Sequence, residues 1–290
     1  MFFLSRIARK RRIWACLSIV AVLLAVLTGW MIHSNTVPTL TELRVTDENL
    51  PTAFNGLRIA HVSDLHDAEF GDSHAGTVAL LEQAEPDLIF LTGDMVDRHP
   101  GRTDVALTLS FVEQAVAIAP CYYVTGNHEA GISAEDYAAL EEGLQALGVT
   151  VLRNASVTVE RGGQSVSIAG VDSPAFGTTG TSLEDWAALC EGRYTLLLAH
   201  HPEYVSRYAE AGADVVFSGH VHGGQFRLPF VGGLYGPGQG WFPTYDKGVY
   251  LISEETEQAH LVVSRGLGNS SIPVRFANRP EVILMVLESK

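Results

Sequence analysis

Short apolar runs of strand length alternate along this chain with longer stretches whose apolar positions fall three and four residues apart. Leu57–Val62, residues 87–91 and Cys121–Val124 predict largely buried strands, and residues 77–84 and 105–118 read as helices between them. Residues 135–147 place Leu140, Leu144 and Leu147 on one helical face, with Gly148 positioned to end the helix. This is βαβ rhythm and predicts parallel pairing. The signal then changes: Val157 to Val159 and Ser165 to Ala169 flank Arg161, Gly162 and Gly163, a hairpin signature. A second strand-helix-strand series follows at Thr195–Ala199, 203–209 and 214–217, with late strands at 249–253, 260–263 and 282–287. Two strand sets with helices outside them predict an α/β fold: a four-layer αββα sandwich of two mixed sheets flanked by helices.

The N-terminal pattern is different in kind. Residues 13–32 form an uncharged apolar run that, as a helix rising about 1.5 Å per residue, would extend roughly 30 Å and could cross a bilayer. Arg6, Arg9, Lys10, Arg11 and Arg12 precede it, whereas Arg44 is the one basic residue between 33 and 50. The positive-inside rule therefore puts the N-terminus in the cytoplasm and the following domain outside. No Ala-x-Ala pair follows the run, which favours a retained single-pass anchor over a cleaved export signal. Export after signal cleavage is the alternative, and Arg11-Arg12 fits a twin-arginine signal poorly. The expected organisation is a basic cytoplasmic segment at 1–12, an anchor or signal at 13–32, a linker and first strand at 33–55, and one folded domain at 56–290.

Composition narrows the function classes. With 290 residues, 47% hydrophobic and 18% charged, the chain can bury a sizeable core, and disorder is excluded. A formal net charge of -14 argues against a nucleic-acid-binding surface, which needs a basic face. Any phosphate chemistry must therefore draw on local metal ions. Cys16 lies in the apolar run, and Cys121 and Cys190 read as buried thiols, not a disulfide or a zinc cluster.

Five segments carry the chemistry: Asp64-Leu65-His66, Gly93-Asp94-Met95-Val96-Asp97, Gly126-Asn127-His128-Glu129, Ala199-His200-His201 and Gly219-His220-Val221-His222. Each places Asp, Asn or His just after a predicted strand, so groups able to bind metal converge at strand ends. Together and in this order they resemble the calcineurin-like metallophosphoesterase superfamily, over roughly residues 57–224. Gly219 to Gln225 and the late Ser264-Arg265-Gly266-Leu267-Gly268 segment are similar to its membrane-associated bacterial phosphodiesterase branch.

The resemblance implies two divalent metal ions, one held by Asp64, His66, Asp94 and His222 and the other by Asp94, Asn127, His200 and His220, with Asp94 bridging. The mixed imidazole, carboxylate and amide set suits manganese first, with iron or zinc as alternatives. Ions roughly 3.5–4 Å apart would acidify a bridging water for in-line attack on phosphorus. The resemblance gives His128 the role of stabilising the transition state or protonating the leaving group. Asp97 and Glu129 are expected to accept hydrogen bonds from metal-binding histidines. The implied function is hydrolysis of a phosphoric ester, a diester in preference, on a membrane-proximal or lipid-linked substrate. Alternatives are a phosphomonoesterase, a nucleotide or UDP-sugar-lipid pyrophosphatase, or a non-catalytic binding module.

Other residues are read more plainly. His61, inside a strand, is expected to be a buried, hydrogen-bonded side chain, and His200 is preferred to His201 because it directly follows Thr195–Ala199. His74 and His99 are expected to be exposed loop residues. Residues 226–245, rich in Gly, Pro and aromatics, read as a long loop whose Phe226, Phe230, Tyr235, Trp241, Phe242 and Tyr245 either wall a lipid site or pack locally.

Overall fold

The computed structural model describes residues 2–176, 182–254 and 257–290. Helix α1, Phe2–Thr36, runs past Ile32 and contains a 24-residue apolar stretch, Ile13–Thr36, of which the domain covers only the end, at Ser34 and its neighbours. Its length and composition suffice to cross a membrane.

The first half of the domain is β1 (Thr39–Asp47), β2 (Leu57–Val62), α2 (Ala75–Ala84), β3 (Leu88–Thr92), α3 (Val105–Val116), β4 (Cys121–Val124), α4 (Ala134–Ala146) and β5 (Thr150–Val151). The second half follows as β6 (Ala155–Arg161), β7 (Gln164–Val171), α5 (Leu183–Cys190), β8 (Thr195–Ala199), α6 (Val205–Glu210) and β9 (Val215–Ser218). Four two-residue strands lie in the aromatic loop: β10 (Arg227–Leu228), β11 (Gly232–Gly233), β12 (Tyr235–Gly236) and β13 (Gly240–Trp241). The chain ends with β14 (Gly248–Glu254), β15 (Glu257–Val263) and β16 (Glu281–Ser289).

Two six-stranded sheets result, in the orders β1-β16-β2-β3-β4-β5 and β14-β15-β9-β8-β7-β6. Both are mixed: β2, β3 and β4 are parallel, as are β7, β8 and β9, while β16 runs antiparallel to β2 and β6 antiparallel to β7. Alternation along each strand sorts side chains between layers. Ile59 and Phe90 of one sheet meet Leu196 and Phe217 of the other in the central core, whereas Ala60 and Ile89 face Leu81, Phe111 and Leu140 of α2 to α4. Leu197 and Val216 pack outward against Trp186 of α5 and Tyr208 of α6. These are the four expected layers.

Helix starts follow capping chemistry: Asp104 accepts from the Leu107 N–H at 2.9 Å, and Ser133 from the Asp136 N–H at 3.0 Å. The Gly162-Gly163 turn has positive φ at both residues, the conformation that fits the twist of the β6-β7 hairpin.

His61 is fully buried in β2, its Nε2 2.8 Å from the Thr92 hydroxyl, as expected of a core histidine. Burial pushes it down to about 3. An unfolded histidine protonates near 6.5, so below that pH the unfolded chain binds a proton that the folded chain refuses. Stability from this residue is therefore full above about pH 6.5 and lost as pH falls toward 3. The stability of the native chain should fall between pH 6.5 and 4.5 more steeply than that of His61→Gln, by about 1.4 kcal/mol per pH unit. Urea unfolding at stepped pH measures this, and equal slopes would dismiss it.

Candidate active site

All five sequence segments leave their strands at one edge of the sandwich, the C-terminal ends of β2, β3, β4, β8 and β9, where open α/β sheets place their ligands. The chain must turn sharply there. Asp64, His66, Asp94, His220 and His222 all have φ between 48° and 72°, the left-handed region, which costs a non-glycine residue about 1–2 kcal/mol. Neighbouring loops hold them in it. The Asp64 and His66 N–H groups donate to the Gly93 and Asp94 carbonyls, each at 3.0 Å, and the His220 N–H donates to the Asp64 carboxylate at 3.0 Å. Gly126 and Gly219 pass so close to the Asp94 and Asp64 carboxylates that a Cβ at either would collide with them.

These turns gather two clusters around Asp94. In one, His66 Nε2 and His222 Nε2 stand 3.2 Å apart, with Asp64 Oδ1 3.5 Å from His222 Nε2 and Asp94 Oδ2 3.8 Å from His66 Nε2. In the other, His200 Nε2 lies 3.2 Å from Asp94 Oδ2, and His220 completes a buried Asp94, His200 and His220 triad. Asn127 lines the same cleft, a cavity of about 180 Å³ shared with Asp94, His128 and His220. Asn127 Oδ1 is buried and makes no hydrogen bond.

The protonation pattern fits cation binding. His200 Nδ1–H donates to the Thr92 carbonyl at 2.7 Å, which leaves Nε2 facing Asp94. Burial opposes a charge on His200, yet the Asp94 carboxylate outweighs it and raises the ring to about 10, so this position strongly favours a positive charge beside Asp94. Burial holds His66, His220 and His222 below the usual histidine range, so each offers a neutral imidazole. Paired ring nitrogens, an unpartnered amide oxygen and two carboxylates form a nitrogen-and-oxygen donor set suited to divalent first-row ions.

His128 stands at the rim of the first cluster, its ring centroid 4.4 Å from that of His66. The Arg98 backbone N–H donates to Nδ1 at 3.1 Å, so the neutral ring carries its proton on Nε2, next to the Ser270 hydroxyl at 3.1 Å and the cleft. Burial keeps this ring neutral, lowering it from the usual histidine range.

Asp97 and Glu129 do different work from that expected. The Asp97 carboxylate meets His99 Nδ1 at 2.5 Å, Arg102 Nε at 3.1 Å and His128 Nδ1 at 3.4 Å, and so supports the His128 side of the cleft. Glu129 accepts from three backbone N–H groups, those of Asp94, Met95 and Gly126, at 2.7–2.9 Å. The short helical turn at Glu129–Gly131 folds its side chain back beneath the loops, where it joins the ends of β3 and β4. Burial and the Asp94 charge push it up to about 7.

His201 turns away from Asp94 to Ser173 Oγ at 2.9 Å and Glu203 Oε1 at 3.1 Å. His74, expected to be exposed, is fully buried, its Nε2 3.1 Å from the Leu107 carbonyl, because the left-handed turn before α2 folds the ring under α3. Arg275 had no signal in the sequence. Wholly buried, it donates to the carbonyls of Arg265 at 2.6 Å and Gly268 at 2.5 Å and sits 3.3 Å from His222 Nδ1, with burial lowering it to about 10. The Ser264–Gly268 loop it supports closes on the first turn: the Leu267 and Gly268 N–H groups donate to the Ser63 and Asp64 carbonyls.

Residues 57–224, which contain all five segments, match the calcineurin-like phosphoesterase family. The chain belongs to this family. An uncharacterized metallophosphoesterase, YkuE, of Bacillus subtilis is 30% identical over 86% of this chain and 85% of its own length. Phosphodiesterase YaeI of Escherichia coli is 28% identical, over 79% of this chain and 82% of its own. A zebrafish (Danio rerio) transmembrane protein with metallophosphoesterase domain is 29% identical over 87% of this chain and 57% of its own length. The protein is thus a phosphoester hydrolase whose family implies divalent metal ions, and its N-terminal helix is consistent with membrane association.

Proposed function

We propose that the chain is a dinuclear metal-dependent phosphodiesterase acting on a membrane-proximal, lipid-linked substrate. The observation that carries this reading is the convergence of two donor sets on Asp94, with Asn127 Oδ1 buried and left without a hydrogen-bond partner. Asp64, His66, Asp94 and His222 would hold one ion; Asp94, Asn127, His200 and His220 would hold the other. When bound, such a pair supplies charge neutralisation at the phosphoryl oxygens and an acidified water as nucleophile.

The chain's own groups do the rest. The His128 N–H donates to Asp94 Oδ1 at 2.7 Å, which leaves Oδ2 turned toward His200 and His66. His128 Nε2–H, fixed by the Arg98 N–H on the opposite nitrogen, is placed to donate a hydrogen bond to the leaving oxygen in the cleft and so stabilise the charge that develops there. The Arg98 N–H orients that ring, and Glu129 fixes the two turns that carry Asp94 and Asn127. The diester preference takes support from the relative named a phosphodiesterase. The basic residues in the first turns of α1, ahead of its apolar stretch, support an N-terminus in the cytoplasm and a catalytic domain outside it, with residues 56–290 as its core. Manganese is the proposed activator.

The full chain, purified in detergent, stripped by chelation and reloaded with manganese, should cleave bis-p-nitrophenyl phosphate and show little activity on p-nitrophenyl phosphate. Activity that survives complete removal of metal would refute the dinuclear reading. Faster cleavage of the monoester would reverse the substrate class.

A further inference from the structure

Helix α1 touches the rest of the protein at a defined place. The Trp30 ring sits edge-on to Phe276 with centroids 5.4 Å apart, and the Asn35 side chain exchanges two hydrogen bonds with the Arg275 backbone, at 2.6 and 3.0 Å. Phe276 is bridged to Phe226, and its carbonyl accepts from the Arg227 N–H at 2.9 Å. From that point the β10-β11 hairpin projects. The foot of the apolar helix and the root of this hairpin are therefore adjacent.

The hairpin tip is apolar and bare. Leu228 is 42% exposed, Val231 53%, and Phe230 completely so. The neighbouring β12-β13 hairpin, joined to the first through the Phe242 N–H and the Leu234 carbonyl, presents Trp241 at 72% and Phe242 at 60%. Phe230 and Phe242 also have φ of 66° and 57°, so two bulky aromatics are held in a disfavoured backbone conformation and directed away from any core. A water-facing loop gains nothing from that arrangement. The same surface continues into the cleft, whose lining includes the partly exposed Tyr235 and Ile272.

We infer that this face is a second membrane contact: residues 228–231 with Trp241 and Phe242 insert into the interface of the bilayer that α1 spans. Aromatic and aliphatic side chains beside a transmembrane helix match the composition of interfacial anchors. An exposed apolar patch of this kind marks an interaction surface, and its continuity with the foot of α1 selects the lipid bilayer as its occupant. Seated there, the cleft mouth at Tyr235 and Ile272 opens at the level of the headgroups, where a lipid-borne phosphodiester enters without leaving the membrane. The inference rests on the reading of α1 as embedded.

The test uses the full chain with Cys16→Ala in vesicles of phosphatidylethanolamine and phosphatidylglycerol; Cys121 and Cys190 are buried. Nitroxide labels are attached singly at Phe230→Cys, Phe242→Cys, Val22→Cys in α1, and Arg161→Cys at the β6-β7 turn. Power saturation compares collision with oxygen, which partitions into lipid, and with a water-soluble nickel chelate. Labels at 230 and 242 should favour oxygen, as at 22, and the label at 161 should favour nickel. Nickel access at 230 and 242 with oxygen access at 22 would overturn the second contact and leave the anchor standing. Nickel access at 22 as well would overturn both. Labels at 230 and 242 shielded from both reagents would point to a protein partner and overturn the bilayer as occupant.

Discussion

Asp94→Asn should lower kcat on a diester by about 10³-fold or more while leaving the fold intact. The side chain keeps its shape, and asparagine tolerates the left-handed φ of 53° at this position. What is lost is the negative charge on Oδ2, 3.2 Å from His200 Nε2 and 3.8 Å from His66 Nε2, where the two donor sets meet. A neutral amide cannot offset repulsion between two divalent cations, and losing about 4 kcal/mol of charge stabilisation at the reacting phosphoryl group corresponds to about 10³-fold. Metal content per chain, measured after gel filtration, should fall below two in the variant, with the far-UV circular dichroism of the native chain retained. Wild-type turnover with full metal content would remove Asp94 from the bridging role.

His128→Ala is expected to cost about 10²–10³ in kcat through loss of the Nε2–H that stabilises charge on the leaving oxygen, with metal content unchanged because this ring is outside both donor sets. The loss should depend on the leaving group. Nitrophenolate spreads its own negative charge and needs little help, so a nitrophenyl diester should lose little and an alkyl diester most. That difference separates stabilisation of the leaving oxygen from a general loosening of the cleft, which would slow both substrates alike. The freed Arg98 N–H should reduce stability by only about 1 kcal/mol. Equal losses on the two diesters would leave His128 with a purely positional part.

The two-sheet sandwich was legible because its central strands are short apolar runs and each closes on a residue with metal-binding chemistry. Leu57–Val62, Cys121–Val124 and Thr195–Ala199 form at their predicted bounds. Apolar periodicity reports which face a residue shows, and it is silent on which neighbour a strand takes. The insertion of the last strand, β16, between β1 and β2 thus left no trace, although its residues read clearly as a strand. The same limit applies to polar side chains. Glu129 was readable as a helper of the site, but not that its acceptors would serve the N–H groups of Asp94, Met95 and Gly126. Arg275 reaches His222 across 53 residues of chain, and nothing local distinguishes it from a surface arginine. His74 was misplaced because its burial depends on a left-handed turn at a non-glycine residue, which sequence patterns do not encode.

The left-handed turns under Asp64, His66, Asp94, His220 and His222 set the direction in which this fold drifts once selection for hydrolysis is relaxed. Each native residue there holds a conformation that glycine adopts freely and asparagine tolerates. In the metal-free chain, glycine at 66, 220 or 222 therefore relieves backbone strain and removes a buried imidazole from a crowded cluster. Backbone strain thus sets a gradient toward losing these histidines, offset in part by the cavity each one leaves, while the sheets persist. Bound metal is what reverses that gradient, making activity and folding heritable as a single trait.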